Sequence, residues 1–192
     1  MKNTFLIITL LILCFNGCKT IKPVAEKEKE APKLTAAVTN APTTEVNFSD
    51  QTTWLLGYFK PGQLSCDPYS AWYNKGFDNY TPDSEPINKL FDIDKSGLAI
   101  KIVMGTWCPD SRREVPRFMK VLDSWHFPAD KVTFIGVDNA KNSPVGEYIK
   151  LDIQRVPTFI IYKNNIEAGR IIENPTTSLE QDIVNILTRN GK

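Results

Sequence analysis

A chain of 192 residues with 23 basic and 22 acidic side chains carries a formal net charge of +1. That balance gives no electrostatic case for binding nucleic acid. One histidine, His126, and four cysteines without metal-ligand spacing argue against a zinc site.

The N-terminus comes first. Lys2 supplies a positive charge, and residues 4–15 form an apolar run with no charged side chain. The run is shorter than the roughly 20 residues a membrane-spanning helix needs, but it suits the apolar region of a secretory signal. It ends at Phe15-Asn16-Gly17-Cys18. A small residue directly before a cysteine resembles a bacterial lipobox, although Leu and Ala usually stand where Phe15 and Asn16 do. The resemblance implies cleavage after residue 17 and a diacylglycerol on Cys18; the alternative is an ordinary signal or an uncleaved anchor. Residues 19–46 then mix Lys and Glu with Ala, Thr and Pro and hold almost no large apolar side chain. Such a stretch buries too little surface to offset its ordering entropy, so residues 18–46 are expected to be a disordered tether.

Residues 47–192 amount to one domain, with the aromatic side chains concentrated in it. Residues 47–97 read as an added N-terminal helical segment, and residues 98–192 as the core. Leu98–Met104 (LAIKIVM) is a β-rich apolar run suited to a buried strand. It stops at Gly105. Pro109 follows where proline suits the first turn of a helix. Val115, Phe118, Met119 and Leu122 then fall at helical spacing within residues 111–125. Residues 131–138 (KVTFIGVD) read as a second strand, residues 145–151 as a short helix, and residues 158–162 and 167–172 as two more strands. Lys163-Asn164-Asn165 makes the hairpin turn between that last pair. Residues 178–189 close the chain as an amphipathic helix capped by Ser178. Strand–helix alternation predicts a parallel pair joined by a right-handed crossover. The closing hairpin adds antiparallel strands, so the fold class is α/β: a mixed central sheet with helices on both faces.

Trp107-Cys108-Pro109-Asp110-Ser111 stands at the first strand-to-helix turn. Pro116 lies eight residues past Cys108, Arg155-Val156-Pro157-Thr158 precedes a β run, and Gly169 follows the hairpin. These landmarks resemble, in order and spacing, the W-C-x-x-C turn, the helix-kinking proline, the cis-proline loop and the hairpin glycine of the thioredoxin family. The turn is similar to that of lipid-anchored extracytoplasmic thioredoxin-like proteins of bacteria. The resemblance covers residues 98–192 and implies a thioredoxin fold with an N-terminal helical extension.

What it implies for chemistry turns on Cys108, because a thiolate is the nucleophile in thiol–disulfide exchange. A helix N-terminus favours the anion, and Arg112 and Arg113 one turn on favour it further, whereas the Asp110 carboxylate opposes it. Ser111 stands where dithiol thioredoxins carry the resolving cysteine. It can hydrogen-bond the Cys108 sulfur but cannot release a mixed disulfide. Ile102 stands where many of them carry a buried Asp that assists the resolving thiol, so both departures remove the same half-reaction. The expected catalytic set is Cys108, Ser111 and Pro157, with Trp107, Pro109, Asp110 and Val156 binding substrate and Pro157 setting a backbone edge for a substrate strand. Metal and cofactor are expected to be none.

The expected function is monothiol thiol–disulfide oxidoreduction outside the cytoplasm. Its partners would be protein thiols or disulfides at the cell envelope, and the membrane through the lipid anchor. The alternatives are a non-catalytic peptide-binding module and a peroxidase-like role in which Cys108 is oxidised to sulfenate. With Cys14 in the signal and Cys18 acylated, Cys66 is the other thiol. It is read as a free, partly buried side chain in preference to a resolver of Cys108. Trp54, Tyr69, Trp72 and Tyr73 are expected to pack the added segment on the sheet in preference to forming a groove. Residues 92–97 open like a calcium loop, but Val103 stands where the closing Glu is required. His126 reads as a helix C-cap.

Overall fold

The structure is a computed structural model and describes residues 46–189. The signal-peptide reading of residues 1–17, the lipidation of Cys18 and nearly all of the tether lie outside the described residues. Among the described residues no helix is long and apolar enough to cross a membrane.

Five strands form one mixed sheet: β1 (Gly57–Phe59), β2 (Leu98–Met104), β3 (Val132–Gly136), β4 (Thr158–Lys163) and β5 (Ile166–Ile172), in the order β1-β3-β2-β4-β5. The central pair β2 and β3 is parallel, with Ile102 opposite Phe134, and every other pairing is antiparallel. β4 and β5 are joined by Asn164 and Asn165 alone, both at positive φ. That backbone suits a two-residue hairpin and a residue type that tolerates the left-handed region.

The four α-helices are α1 (Ser70–Asn79), α2 (Ser84–Phe91), α3 (Pro109–Ser124) and α4 (Leu179–Arg189). β2 has apolar side chains on both faces, so the sheet needs two covers. Leu98, Ile100, Ile102 and Met104 join one cluster with Phe118 of α3, Trp125 just past its end, Ile183 and Leu187 of α4, Tyr73 of α1 and Leu90 of α2. Within it the Phe118 and Phe159 rings stack 4.1 Å apart. Val103 faces the other way, into a smaller cluster with Cys108, Ile135, Tyr148, Leu151, Val156 and Ile160.

The cover of that second face is thinner than expected. Where the sequence suggested a helix over residues 145–151, the chain makes a single 3-10 turn, Tyr148–Leu151, ended by left-handed Asp152. Pro144 and Gly146 leave too short a run to repay helix nucleation.

The added segment is helical, as expected, in α1 and α2, but it also supplies the edge strand β1. Three residues containing a glycine give no readable strand pattern. The strand forms because Gly136 of β3 lets the backbone come close: a side chain there would collide with the Leu55 carbonyl. Gly76 of α1 likewise sits against Pro116, the proline inside α3.

At its C-terminal end α3 closes with the Phe127 amide on the Leu122 carbonyl and the His126 amide on Asp123. His126 itself sits at φ 54°, so it is the left-handed capping residue. Ser178 caps α4 by accepting the Gln181 amide at 3.2 Å.

Candidate functional site

β2 ends at Met104, and the turn Gly105-Thr106-Trp107 carries the chain into α3 with Cys108 as the N-cap and Pro109 at the first helical position. The Cys108 amide bonds the Gly105 carbonyl at 3.0 Å, closing the turn. The Gly105 amide in turn donates to Ser111 Oγ at 3.3 Å, and Ser111 is fully buried. The serine hydroxyl therefore secures the turn. Its hydrogen bond goes to Gly105, not to the Cys108 sulfur that the sequence suggested.

The Cys108 thiol has a different partner: its Sγ lies 3.3 Å from the Val156 carbonyl oxygen. Val156 leads into Pro157 through a cis peptide bond, and Thr158 Oγ1 closes that loop on the Arg155 carbonyl at 2.7 Å. Two segments 48 residues apart in sequence thus meet at one sulfur. Cys108 is only 7% exposed. Pro109 on its outer side is exposed, while Trp107 and Asp110 are half-buried.

Asp110 does not act alone near the sulfur. Its carboxylate pairs with Arg113 at 2.8 Å, and Arg113 also bonds Glu114 and Asn174. Glu114, buried in α3, is shared with Arg117. Ile102 is fully buried.

The unexpected part of the site comes from residues 48–55. Thr106, 1% exposed, donates its hydroxyl to the Thr53 carbonyl at 3.1 Å and accepts the Leu55 amide at 3.3 Å. Trp54 lies against Trp107 with ring centroids 6.2 Å apart, and Trp107 Nε1 donates to the Val137 carbonyl at 2.9 Å. Arg112 is not a solvated helix side chain. Its Nη1 donates to the Thr106 and Trp107 carbonyls, each at 3.1 Å, and its guanidinium lies 4.7 Å from the Phe48 ring centre. Burial lowers its pKa and the Cys108 sulfur opposes that shift. Nothing in the sequence links residue 48 to residue 112; the one available signal was the aromatic density of residues 48–73.

The four aromatics divide between the two roles weighed from sequence. Trp54 flanks the active turn. Tyr69, Trp72 and Tyr73 pack with Phe48 and Phe77 in a chain of ring contacts beside α3. Cys66 is free and exposed, not partly buried, with its Sγ on the Gly62 carbonyl at 3.5 Å. It opens on a groove lined by Leu55, Lys60, Pro68 and Tyr69. Among the described residues no cluster of His, Cys, Asp and Glu is arranged to hold a metal ion.

Residues 92–185 match the family model Thioredoxin. A Dictyostelium discoideum protein whose name assigns it provisionally to the thioredoxins, as thioredoxin-5, is 30% identical over 99 residues, half of this chain and 88% of its own. This chain belongs to the thioredoxin family. Solved thioredoxins similar to it include thioredoxin O2 from Arabidopsis thaliana, at 17% identity over 57% of this chain and 89% of that one, with a TM-score of 0.35. A Pseudomonas aeruginosa protein of unknown function matches at 14% identity over 64% and 71% of the two chains, with a TM-score of 0.40. The parallel β2–β3 pair, the antiparallel β4–β5 hairpin and the cis-proline beside the cysteine-capped helix are the thioredoxin fold in this chain.

Proposed function

We propose that this protein carries out monothiol thiol–disulfide exchange through Cys108. The observation that carries the reading is the 3.3 Å approach of Cys108 Sγ to the Val156 carbonyl. It sets the nucleophile against the backbone edge on which an extended substrate can pair, with Pro157 fixing that edge and Trp107, Pro109 and Asp110 bordering it.

The chemistry is a pair of exchanges. The Cys108 thiolate attacks one sulfur of a substrate disulfide; a new S–S bond forms to Cys108, and the other substrate sulfur leaves as a thiolate. Ser111 has no thiol with which to break that bond. A thiolate from a second molecule attacks the substrate sulfur, forms its own disulfide with the substrate and returns Cys108 as thiolate. No net electrons pass to the protein and no bound cofactor is required. A second reading, a non-catalytic peptide-binding module, draws on the low exposure of Cys108.

The sequence features of residues 1–18 support a domain held outside the cytoplasm by a lipid on Cys18, with envelope thiols and disulfides as substrates. Metabolic labelling with a palmitate analogue should mark the chain and miss Cys18→Ser; equal labelling of both sinks the anchor.

The function is tested by incubating the full chain with oxidised glutathione and mapping adducts by peptide mass spectrometry. A glutathione adduct on Cys108, discharged by added thiol, supports exchange. A folded protein that takes no adduct at Cys108, while exposed Cys66 does, refutes it and leaves the binding module.

A further inference from the structure

Residues 48–55 contact the turn that carries Cys108 through Thr106 and Arg112. Here a cation is held in place by the added segment. Arg112 Nη1 lies 3.1 Å from the Trp107 carbonyl oxygen, and that carbonyl belongs to the peptide unit shared with Cys108. By standard backbone dimensions the nitrogen is within about 6 Å of the Cys108 Cα. Without a partner the long Arg112 side chain would extend into water and lose most of its influence on the turn. Instead the Thr106 and Trp107 carbonyls fix one edge of the guanidinium and the Phe48 ring covers it, a cation–π arrangement. Thr106 is bound in turn to the Thr53 carbonyl and the Leu55 amide. Among the described acidic groups that could neutralise this cation, Asp110 and Glu114 are paired with Arg113 instead.

We propose that Arg112 is a positioning residue for the reactive sulfur, its charge kept beside the Cys108 thiolate by Phe48. The added segment is then part of the active site. This rests on Cys108 acting as a nucleophile, so it is tested by a reaction that needs no disulfide substrate.

The measurement is the rate at which neutral iodoacetamide alkylates Cys108 in the folded full chain at neutral pH, quantified on the Cys108 peptide. Removing a unit charge at this range, at an effective dielectric between that of a protein surface and water, is worth about threefold in alkylation rate, since the loss of anion stabilisation is partly offset by the higher nucleophilicity of a more basic thiolate. Arg112→Gln, which keeps hydrogen-bond donors and loses the charge, should slow alkylation by about that factor. Arg112→Lys should stay within about twofold, because both carbonyl bonds go to a single nitrogen that an ammonium can replace. Phe48→Ala should slow it by about twofold to threefold with the melting temperature little changed. Equal rates for Arg112→Gln and the wild type overturn the proposal. So do equal losses in the Gln and Lys variants, which mark a purely structural tie. If Arg112→Gln does not fold, Phe48→Ala decides: an unchanged rate overturns the proposal. Failure of the glutathione adduct with these differences intact refutes the exchange function and leaves the role of Arg112 standing.

Discussion

Restoring a thiol at Ser111 separates the two half-reactions. Ser111 Oγ accepts the Gly105 amide at 3.3 Å in a fully buried site. Sulfur is a weak acceptor, so Ser111→Cys leaves that amide poorly satisfied, at a cost of about 1–2 kcal/mol in the reduced protein. Closing a disulfide across the four-residue turn constrains the unfolded chain by about 2 kcal/mol. The two terms nearly cancel. Reduced Ser111→Cys should therefore melt about 3–8 °C below the wild type, and the oxidised form should return close to it. The chemical readout is sharper. On the wild type the glutathione adduct of Cys108 should persist until external thiol is added. In the variant the introduced thiol attacks Cys108 Sγ, glutathione leaves as its thiol, and an intramolecular disulfide remains. Mass spectrometry under non-reducing conditions distinguishes the two products. An adduct as persistent on folded Ser111→Cys as on the wild type would refute the view that Ser111 occupies the resolving position.

Two further outcomes follow from the packing. Phe118 is fully buried and stacked on Phe159 at 4.1 Å, so Phe118→Ala should cost about 3–5 kcal/mol and lower the melting temperature by about 10 °C or more. A loss below about 1 kcal/mol in chemical denaturation would show that the cluster is not packed as described. Tyr73 is 7% exposed, and burial pushes its phenol up to about 12. The folded state therefore holds this proton to higher pH than the unfolded chain, whose value is about 10. Stability is full below pH 10 and falls as pH rises from 10 to 12, by at most about 3 kcal/mol from this group. Tyrosinate absorbance of the Tyr73→Phe difference should titrate late; a midpoint near 10 would place Tyr73 in water.

The strand-to-helix turn, the proline loop and the core order were legible because each is written locally. Pro109 suits a helix start, Asn164-Asn165 suits a tight hairpin, and Leu98–Met104 is apolar on both faces. The edge strand β1 was not legible, since Gly57–Phe59 is too short to show a period and its pairing depends on the absence of a side chain at Gly136. The expected helix over residues 145–151 shrank to one turn because Gly146 weakens propagation.

By itself the sequence determined the chemistry available: one cysteine at a helix start, a serine where the family resolves, and a hydrocarbon in place of a buried acid. Those facts reside in residue identity and short spacing. Only the tertiary structure decided that the Cys108 sulfur faces the Val156 carbonyl, that Ser111 bonds Gly105, and that Phe48 lies against Arg112. The first and last of these join residues 48 and 64 positions apart, which no local pattern encodes, and the Ser111 bond spans only six residues but depends on how the turn closes. They arise when the sheet closes and α1 and α3 pack together, which the chain fixes through the shape of its whole core.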